Sequence, residues 1–361
     1  MFNVLKKWYD RNFHDEEAVV LLLLLVVGVG VVIGFGSILT PVIAALVLAF
    51  LLQGVVSQLE RLRLPHLAAV SISSAMLVVI LVVGLIVLLP LALDQSSNLV
   101  QELPGLIALI RERLVLLQEL YPGFVTQQQI AEWTELLNKE LGAIGQEVLS
   151  FSVANIPNLL GFMVYLILVP IMVFFFLKDK ALLLDWFGQM LPSERPLLTR
   201  IYVEMNDQMA NYVRGKAIEM FIVGGASFIV FAWFGLNYSA LLAILVGLSV
   251  IIPYIGAFLV TIPVLLVAFL QWGWGGDFMW LAIAYFIIQA LDGNALVPLL
   301  FSEAVNLHPV AILLAILFFG GIWGLWGVFF AIPLATLIKA LLNAWPKVAL
   351  ELPSGDVDAQ D

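Results

Sequence analysis

Asp292, Gly293 and Asn294 interrupt a long apolar run, with Gln289 one turn before them and Pro298 a short way beyond. Gly293 and Pro298 both weaken a helix, and proline has no N–H to give the preceding turn. Carbonyls freed in this way, together with a carboxylate and two carboxamides, can coordinate a cation or a polar solute. An ionisable group at membrane depth is costly and marks a functional site by default. The plain alternative is a helix end lying at the interface. Glu219, in the first turns of the apolar run 214–235, is a second candidate for cation or proton binding; its plain alternative is a surface-level residue paired with Lys216 or Arg214. His308 precedes Pro309 and reads as an interfacial turn residue rather than a proton relay. The only other imidazoles, His14 and His66, are distant in sequence.

These residues do not assemble into an enzyme. The chain has no cysteine, which removes thiol chemistry, disulfides and Cys-type zinc sites. A His-Glu-x-x-His helix, a Gly-x-Ser-x-Gly elbow, a P-loop and a dinucleotide fingerprint are all missing from the sequence. No aspartate pair sits on adjoining apolar runs as an intramembrane protease would need. No cofactor is expected. A net charge of −10 argues against a nucleic-acid partner, because phosphate binding needs basic patches.

The elements that must position the candidates are set by lipid. Of 361 residues, 63% are hydrophobic and only 12% are charged, and the mean hydropathy is +1.07. A water-soluble domain is nearer half apolar and a quarter charged, so the expected fold is all-α and polytopic. Spans are predicted at 18–36, 38–56, 67–92, 157–177, 214–235 and 278–300. Gly36-Ser37, with Pro41 just beyond, predicts a tight helical hairpin between the first two. The Lys and Arg residues divide unequally. Lys6, Lys7, Arg11, Arg61, Arg63, Lys178, Lys180, Arg195, Arg200, Arg214, Lys216, Lys339 and Lys347 fall on one face, and only Arg111, Arg113 and Lys139 on the other. The first face is then cytoplasmic, with both termini inside.

The organisation that follows is a cytoplasmic N-terminus (1–17), three membrane helices (18–92), an external domain of two amphipathic helices (93–156) and a further span (157–177). A cytoplasmic helical linker (178–213), a transport core (214–345) and an acidic, disordered tail (346–361) complete it. Pro122-Gly123 separates the two external helices.

Two apolar runs are too long for one simple crossing. Residues 239–271 contain Pro253 and Gly256; residues 309–345 contain Gly320, Gly321, Gly324, Gly327 and Pro333. At about 1.5 Å per residue each exceeds a hydrocarbon core of about 30 Å. Either each is one broken span or each dips in and returns, giving six to eight membrane segments. The glycines also suit simple close packing of helices. Paired re-entrant elements around a midplane site are a transporter pattern, and the tip at Pro253 and Gly256 would then lie near the 320–327 turn and Asp292.

A set of short motifs in order carries a resemblance. Asn211-Tyr212-Val213-Arg214-Gly215, Gly235, Ile252-Pro253-Tyr254-Ile255-Gly256, Asp292-Gly293-Asn294 with Pro298, Leu307-His308-Pro309, the glycines from 320 to 327, and Ile332-Pro333-Leu334 resemble the C-terminal half of the autoinducer-2 exporter family of permeases. The likeness covers most of residues 10–345; it departs at Ala257, where that family more often has proline. It implies a multi-pass transporter of the bacterial inner membrane, exporting a signal such as autoinducer-2 or exchanging sodium for protons. It further implies a homo-oligomer, plausibly a pentamer, and elevator-like movement. A channel would instead show uncoupled conductance, and a scaffold would tolerate neutral replacements at Asp292 and Asn294.

Overall fold

The computed structural model describes residues 16–120, 126–154, 158–192, 194–301 and 307–344. The N-terminal basic residues with His14, the Pro122-Gly123 break and the acidic tail lie outside the described residues. So do the side chains of several leucines read as the apolar face of 93–156, among them Leu103, Leu106 and Leu117.

The described residues are helical apart from short connections. Among the described residues, seven stretches are long and apolar enough to cross a bilayer: Val19–Gly36, Ile38–Arg61, His66–Glu102, Pro196–Phe234, Ile255–Trp272, Gly276–Phe301 and Pro309–Phe329. The all-α, polytopic architecture expected from composition is what the chain adopts. Large apolar side chains stand exposed along these stretches, including Leu23, Val26, Ile86 and Phe221, as lipid-facing surfaces require.

One expectation is corrected at the first helix. Helix α1, Glu16–Arg61, runs unbroken through Gly36-Ser37, so no tight hairpin forms there. Glycine and serine alone do not reverse a helix in an apolar run, where continuing the helix pairs every backbone N–H and C=O that lipid would leave unsatisfied. The helix is loosened a few residues later. Thr40 Oγ1 donates to the Gly36 carbonyl at 3.2 Å, and Pro41 has no N–H for the carbonyl of Ser37. Gly36 serves packing instead: a Cβ there would lie 3.0 Å from the Trp323 indole nitrogen.

Helix α2, His66–Val83, passes through a π turn at Gly84–Leu88 into α3, Leu89–Leu120. Helix α4, Gln127–Ala154, packs back on α3, and Ile107 and Ile130 are buried. The polar insertion is therefore a helical pair whose first member continues a membrane rod. Helix α5, Asn158–Lys178, packs on α2 in a core that includes Val70, Leu77, Val169, Val173 and Leu177.

The chain divides into two compact units, one of residues 1–40, 180–210 and 304–361, the other of 41–179 and 211–303. In the first unit, after the short helix α6 (Lys180–Gly188), the long helix α7 (Pro196–Phe234) begins with its Leu198 N–H donating to Glu17 Oε1 at 2.6 Å. A carboxylate at a helix N-terminus satisfies an orphan donor and complements the dipole. Leu21, Ile201 and Leu341 form the apolar cluster beside it.

Both overlong runs double back. In the second unit, α8 (Ser239–Ser249) and α9 (Ile255–Trp272) pack against each other. Their lengths of 11 and 18 residues correspond to about 16 and 27 Å. The turn between them brings Gly256 so close to the first arm that a Cβ would stand 1.8 Å from the Ser249 carbonyl oxygen. The ends are tied as well. Gln271 Nε2 donates to the Gly235 carbonyl at 2.8 Å, and Gln271 Oε1 accepts the Asn237 N–H at 2.8 Å. A segment whose two ends are hydrogen-bonded to each other begins and ends at one place.

In the first unit, α12 (Pro309–Phe329) turns at Gly324, where φ is 60° and ψ is −136°, a region favouring glycine. A Cβ on Gly327 would lie 1.8 Å from the Phe319 carbonyl oxygen. Helix α13 (Ala331–Ala344) packs back on α12. Pro333 falls in its first turn, where proline is tolerated. His308 caps α12, its Nδ1 accepting the Val310 N–H at 3.3 Å.

Candidate transport site

A buried polar cluster of the second unit lies on α7 and centres on a residue that the sequence presents as loop flank. Lys216 and Glu219 sit three residues apart, a spacing that puts both on one helical face, and they are 5% and 2% exposed. They meet as an ion pair at 2.8 Å. Lys216 Nζ also donates to the Val250 carbonyl at 2.8 Å. Val250 is the residue that ends α8, so the lysine holds the tip of the hairpin. The same ammonium lies 5.3 Å from the centre of the Phe301 ring, within the range of a cation–π contact. Glu219 is therefore paired with Lys216, as its plain alternative held, but in the interior rather than at the surface.

The residues just before Lys216 make room for this arrangement. A Cβ on Gly215 would fall 2.6 Å from the Phe301 ring, so only glycine lets that ring lie against the helix. Tyr212 closes the other side, its ring centre 5.9 Å from that of Phe301. Arg214 lies over Gly54 of α1, 3.4 Å from where a Cβ would be, and donates to Asn211 Oδ1 at 3.1 Å.

Asp292 belongs to the same electrostatic neighbourhood. Helix α10, Gly276–Leu291, continues into a π turn at Asp292–Leu296 and then α11, Val297–Phe301. The Val297 N–H reaches back to the Asp292 carbonyl. This widened turn is the form taken by the weakening expected from Gly293 and Pro298; π turns recur at functional sites. Asp292 is near enough for its charge to act on Glu219, and Lys216 acts on Asp292. Asp292 Oδ1 is buried with no hydrogen-bond partner among the described residues. A buried carboxylate oxygen left in this state is costly and can accept a cation or a donor from a solute.

The other candidates separate from this centre. Gln289 donates to the Tyr285 hydroxyl at 2.6 Å, and that hydroxyl lies 3.0 Å from Thr261 Oγ1 on α9. It thus ties α10 to the second arm of the hairpin through a fully buried tyrosine. Asn294 is exposed and donates to the Ala290 carbonyl of its own helix at 2.8 Å. Pro253 lies in the turn of the first hairpin. Among the glycines, Gly324 and Gly327 form the second turn, a Cβ on Gly320 would meet the Val328 side chain at 2.8 Å, and Gly293 and Gly321 have open space around them.

Sequence reasoning named Lys216 only as a surface-level partner of Glu219 and did not single out Phe301, Thr261 or Tyr285. The Lys216–Glu219 spacing was a usable signal. Among the described residues no group of three or more metal-ligating side chains occurs.

Comparison with known proteins agrees with this architecture. The profile of the family described as AI-2E family transporter matches residues 20–347. PerM, a protein of Escherichia coli (strain K12) named as a permease, is 47% identical over 346 residues, covering 96% of this chain and 98% of PerM. YueF, named as a transport protein in Bacillus subtilis (strain 168), is 28% identical over 310 residues, covering 83% and 82% of the two chains. The match runs from the first membrane helix past the second hairpin and includes every residue of the buried cluster, so this chain belongs to the AI-2E transporter family of polytopic membrane proteins.

Proposed function

We propose that the chain is a secondary transporter of the bacterial inner membrane whose small polar solute or ion passes Asp292, Glu219 and Lys216. The observation that carries this reading is the unpartnered Asp292 oxygen in a π turn, beside an ion pair that grips the tip of a helical hairpin. A solute or cation that engages Asp292 competes for the charges that hold the tip, which gives the hairpin two states. Movement of that tip supplies alternating access. Sodium/proton exchange is the second reading, favoured by two carboxylates, Glu219 and Asp292, that both lie within electrostatic reach of a single lysine, Lys216.

The topology goes with this reading. The bonds of Gln271 to Gly235 and Asn237 support a re-entrant hairpin, and the lack of Lys and Arg in residues 272–277 goes with its opening outward and leaving Trp274 outside. The unequal division of Lys and Arg between the two faces supports residues 93–156 outside and both termini inside. A homo-oligomer, plausibly a pentamer, with elevator-like movement of a transport unit is part of the proposal, as the family likeness implies.

Purified protein in proteoliposomes with imposed sodium and proton gradients provides the test. Asp292→Asn lowers transport at least about tenfold while the protein stays folded and assembled; a tenfold change corresponds to about 1.4 kcal/mol. Unchanged transport in that variant removes the site. Because the chain has no native cysteine, a Trp274→Cys variant reports topology cleanly. Labelling by an impermeant reagent only from the cytoplasm discards the outward-opening hairpin.

A further inference from the structure

Helix α6 (Lys180–Gly188) belongs to none of the seven stretches that can cross a bilayer, yet its surface is not that of a solvated linker. Leu182, Trp186, Phe187 and Met190 are each more than half exposed. Trp186 and Met190 are four residues apart, as are Leu183 and Phe187, so these side chains share one face. Asp185 and Gln189, also four apart, form a polar strip on another side. The helical bonding continues that far, with the Gln189 N–H donating to the Asp185 carbonyl at 3.0 Å. A contiguous exposed apolar surface rimmed by polar groups marks an interaction site.

The place of α6 within its own unit says what covers this face. The start of α7 is fastened to the foot of the first span: the Leu198 N–H is bound by Glu17, two residues before Val19, where that span begins. Leu21 and Leu25 pack with Leu197, Leu198 and Ile201 just beyond. Arg195 ties α6 to the same foot, its guanidinium donating to the carbonyl of Gly188, the last residue of α6. The end of α6 therefore stands beside the point where an apolar helix leaves the bilayer, and the partner available there is lipid.

Charge and side-chain type agree with that partner. Arg195, Pro196, Thr199, Arg200, Val203 and Glu204 line a hollow of ≈ 700 Å³ at the start of α7. The planar fork of arginine matches phosphate oxygens. Two guanidinium groups and one carboxylate suit a phospholipid headgroup, whose phosphate is anionic and whose base, where present, is cationic. Trp186 meets Phe187 edge to face at 4.8 Å, and tryptophan is enriched at headgroup level, where its ring is half apolar and half wet.

We infer that α6 and the first turns of α7 form an in-plane anchor on a phospholipid leaflet. Trp186, Phe187 and Met190 enter the boundary between headgroups and acyl chains, and Arg195 and Arg200 meet the phosphates. Helices of this kind bury their apolar face about 5–10 Å deep. That the leaflet is the cytoplasmic one rests on the topology proposed above; that lipid covers the face does not.

Spin labels on the full-length protein test it, because the chain has no native cysteine. Nitroxides are attached to Trp186→Cys, Phe187→Cys and Met190→Cys and, on the polar strip, to Asp185→Cys and Gln189→Cys. The protein is reconstituted in vesicles of phosphatidylethanolamine and phosphatidylglycerol. Collision with oxygen, which enters lipid, is compared with collision with a water-soluble nickel chelate. The oxygen-to-nickel ratio is expected to be at least about tenfold higher at the three apolar positions than on the polar strip, since a hydrated complex is excluded from an apolar medium. Adding Trp186→Glu and Phe187→Glu, both at exposed positions, should raise nickel access at Met190→Cys. If any labelled variant fails to stay folded and monodisperse, Leu183→Cys on the same face takes its place. Equal nickel access on both sides overturns the inference, because the face is then in water. Exclusion of both reagents from the apolar face also overturns it, because protein, such as a second copy, then covers that face. None of these readings depends on flux, so a failed transport reading leaves the anchor standing, and a failed anchor leaves the transport reading.

Discussion

Hairpin 239–272 and hairpin 309–344 turn on the same backbone device. Gly256 lies against the Ser249 carbonyl and Gly327 against the Phe319 carbonyl, each so closely that a Cβ would sit at 1.8 Å. What surrounds the two turns differs. The first turn ends in a carbonyl gripped by Lys216, within reach of two carboxylates, and its open ends are tied by Gln271. The second is aromatic: Trp323 and Trp326 stack on Phe330 at 5.9 and 6.1 Å, and the sequence carries no charge from Pro309 to Ile338. A turn held by charge can be released by a competing polar ligand. A turn held by stacked rings offers such a ligand nothing to displace.

The shared device predicts the largest effects. Gly256→Ala and Gly327→Ala both push a methyl group into a main-chain oxygen, which cannot rotate away as a side chain could. Overpacking of this kind costs about 1–3 kcal/mol or more, and at such a separation the upper end is expected. Each variant should lower the yield of folded protein and reduce transport more than tenfold, whereas Gly321→Ala, with open space at its Cβ, should be near neutral. Measurement is by detergent thermal unfolding and proteoliposome flux. If Gly321→Ala matched the other two, close approach would not be what makes the turns.

Charge is where the hairpins should part. Lys216→Met leaves Glu219 buried without its partner and releases the Val250 carbonyl. Removing one member of a buried ion pair costs about 3–5 kcal/mol, whereas replacing both with apolar groups is often neutral. Lys216→Met should therefore lower the unfolding temperature sharply, and Lys216→Met/Glu219→Leu should recover most of it without recovering transport. Recovered transport in the double variant would reduce the pair to scaffolding.

Much of this architecture was legible. Pro253 and Gly256 in one overlong run, and Gly324 and Gly327 in the other, mark the breaks, because run length and a breaker residue together call for either a broken span or a reversal; the reversal itself shows only in the packing of the arms. Gly293 and Pro298 marked a weakened helix at Asp292, which the structure shows as a π turn. Gly36-Ser37 misled, because turn-prone residues reverse a helix only when the chain around them stops forming one. The burial of Lys216 escaped notice since, beside Arg214, it reads as the positive flank of a span and a surface-level partner of Glu219; only tertiary contact with Val250 and Phe301 shows it facing inward. The closure of the first hairpin by Gln271 pairs residues 36 apart in sequence, which no local pattern encodes.

That closure supports the smallest and most local prediction. Gln271 makes two bonds to main-chain groups at an exposed edge, each worth about 0.5–1.5 kcal/mol net. Gln271→Ala should cost about 1–2 kcal/mol in local opening, which is a factor of about 5–30 in population. Amide exchange at Leu236 to Leu241 should quicken by that factor, because the turn before α8 loses its anchor on α9. Gln271→Glu can still accept the Asn237 N–H but cannot donate to the Gly235 carbonyl while ionised, so its effect should fall between alanine and wild type. Amides from Ala311 to Phe319 in the second hairpin have no such tie and should exchange as before. Equal acceleration in both hairpins would mean that Gln271 acts on global stability, and the contrast between a tied and an untied hairpin would fail.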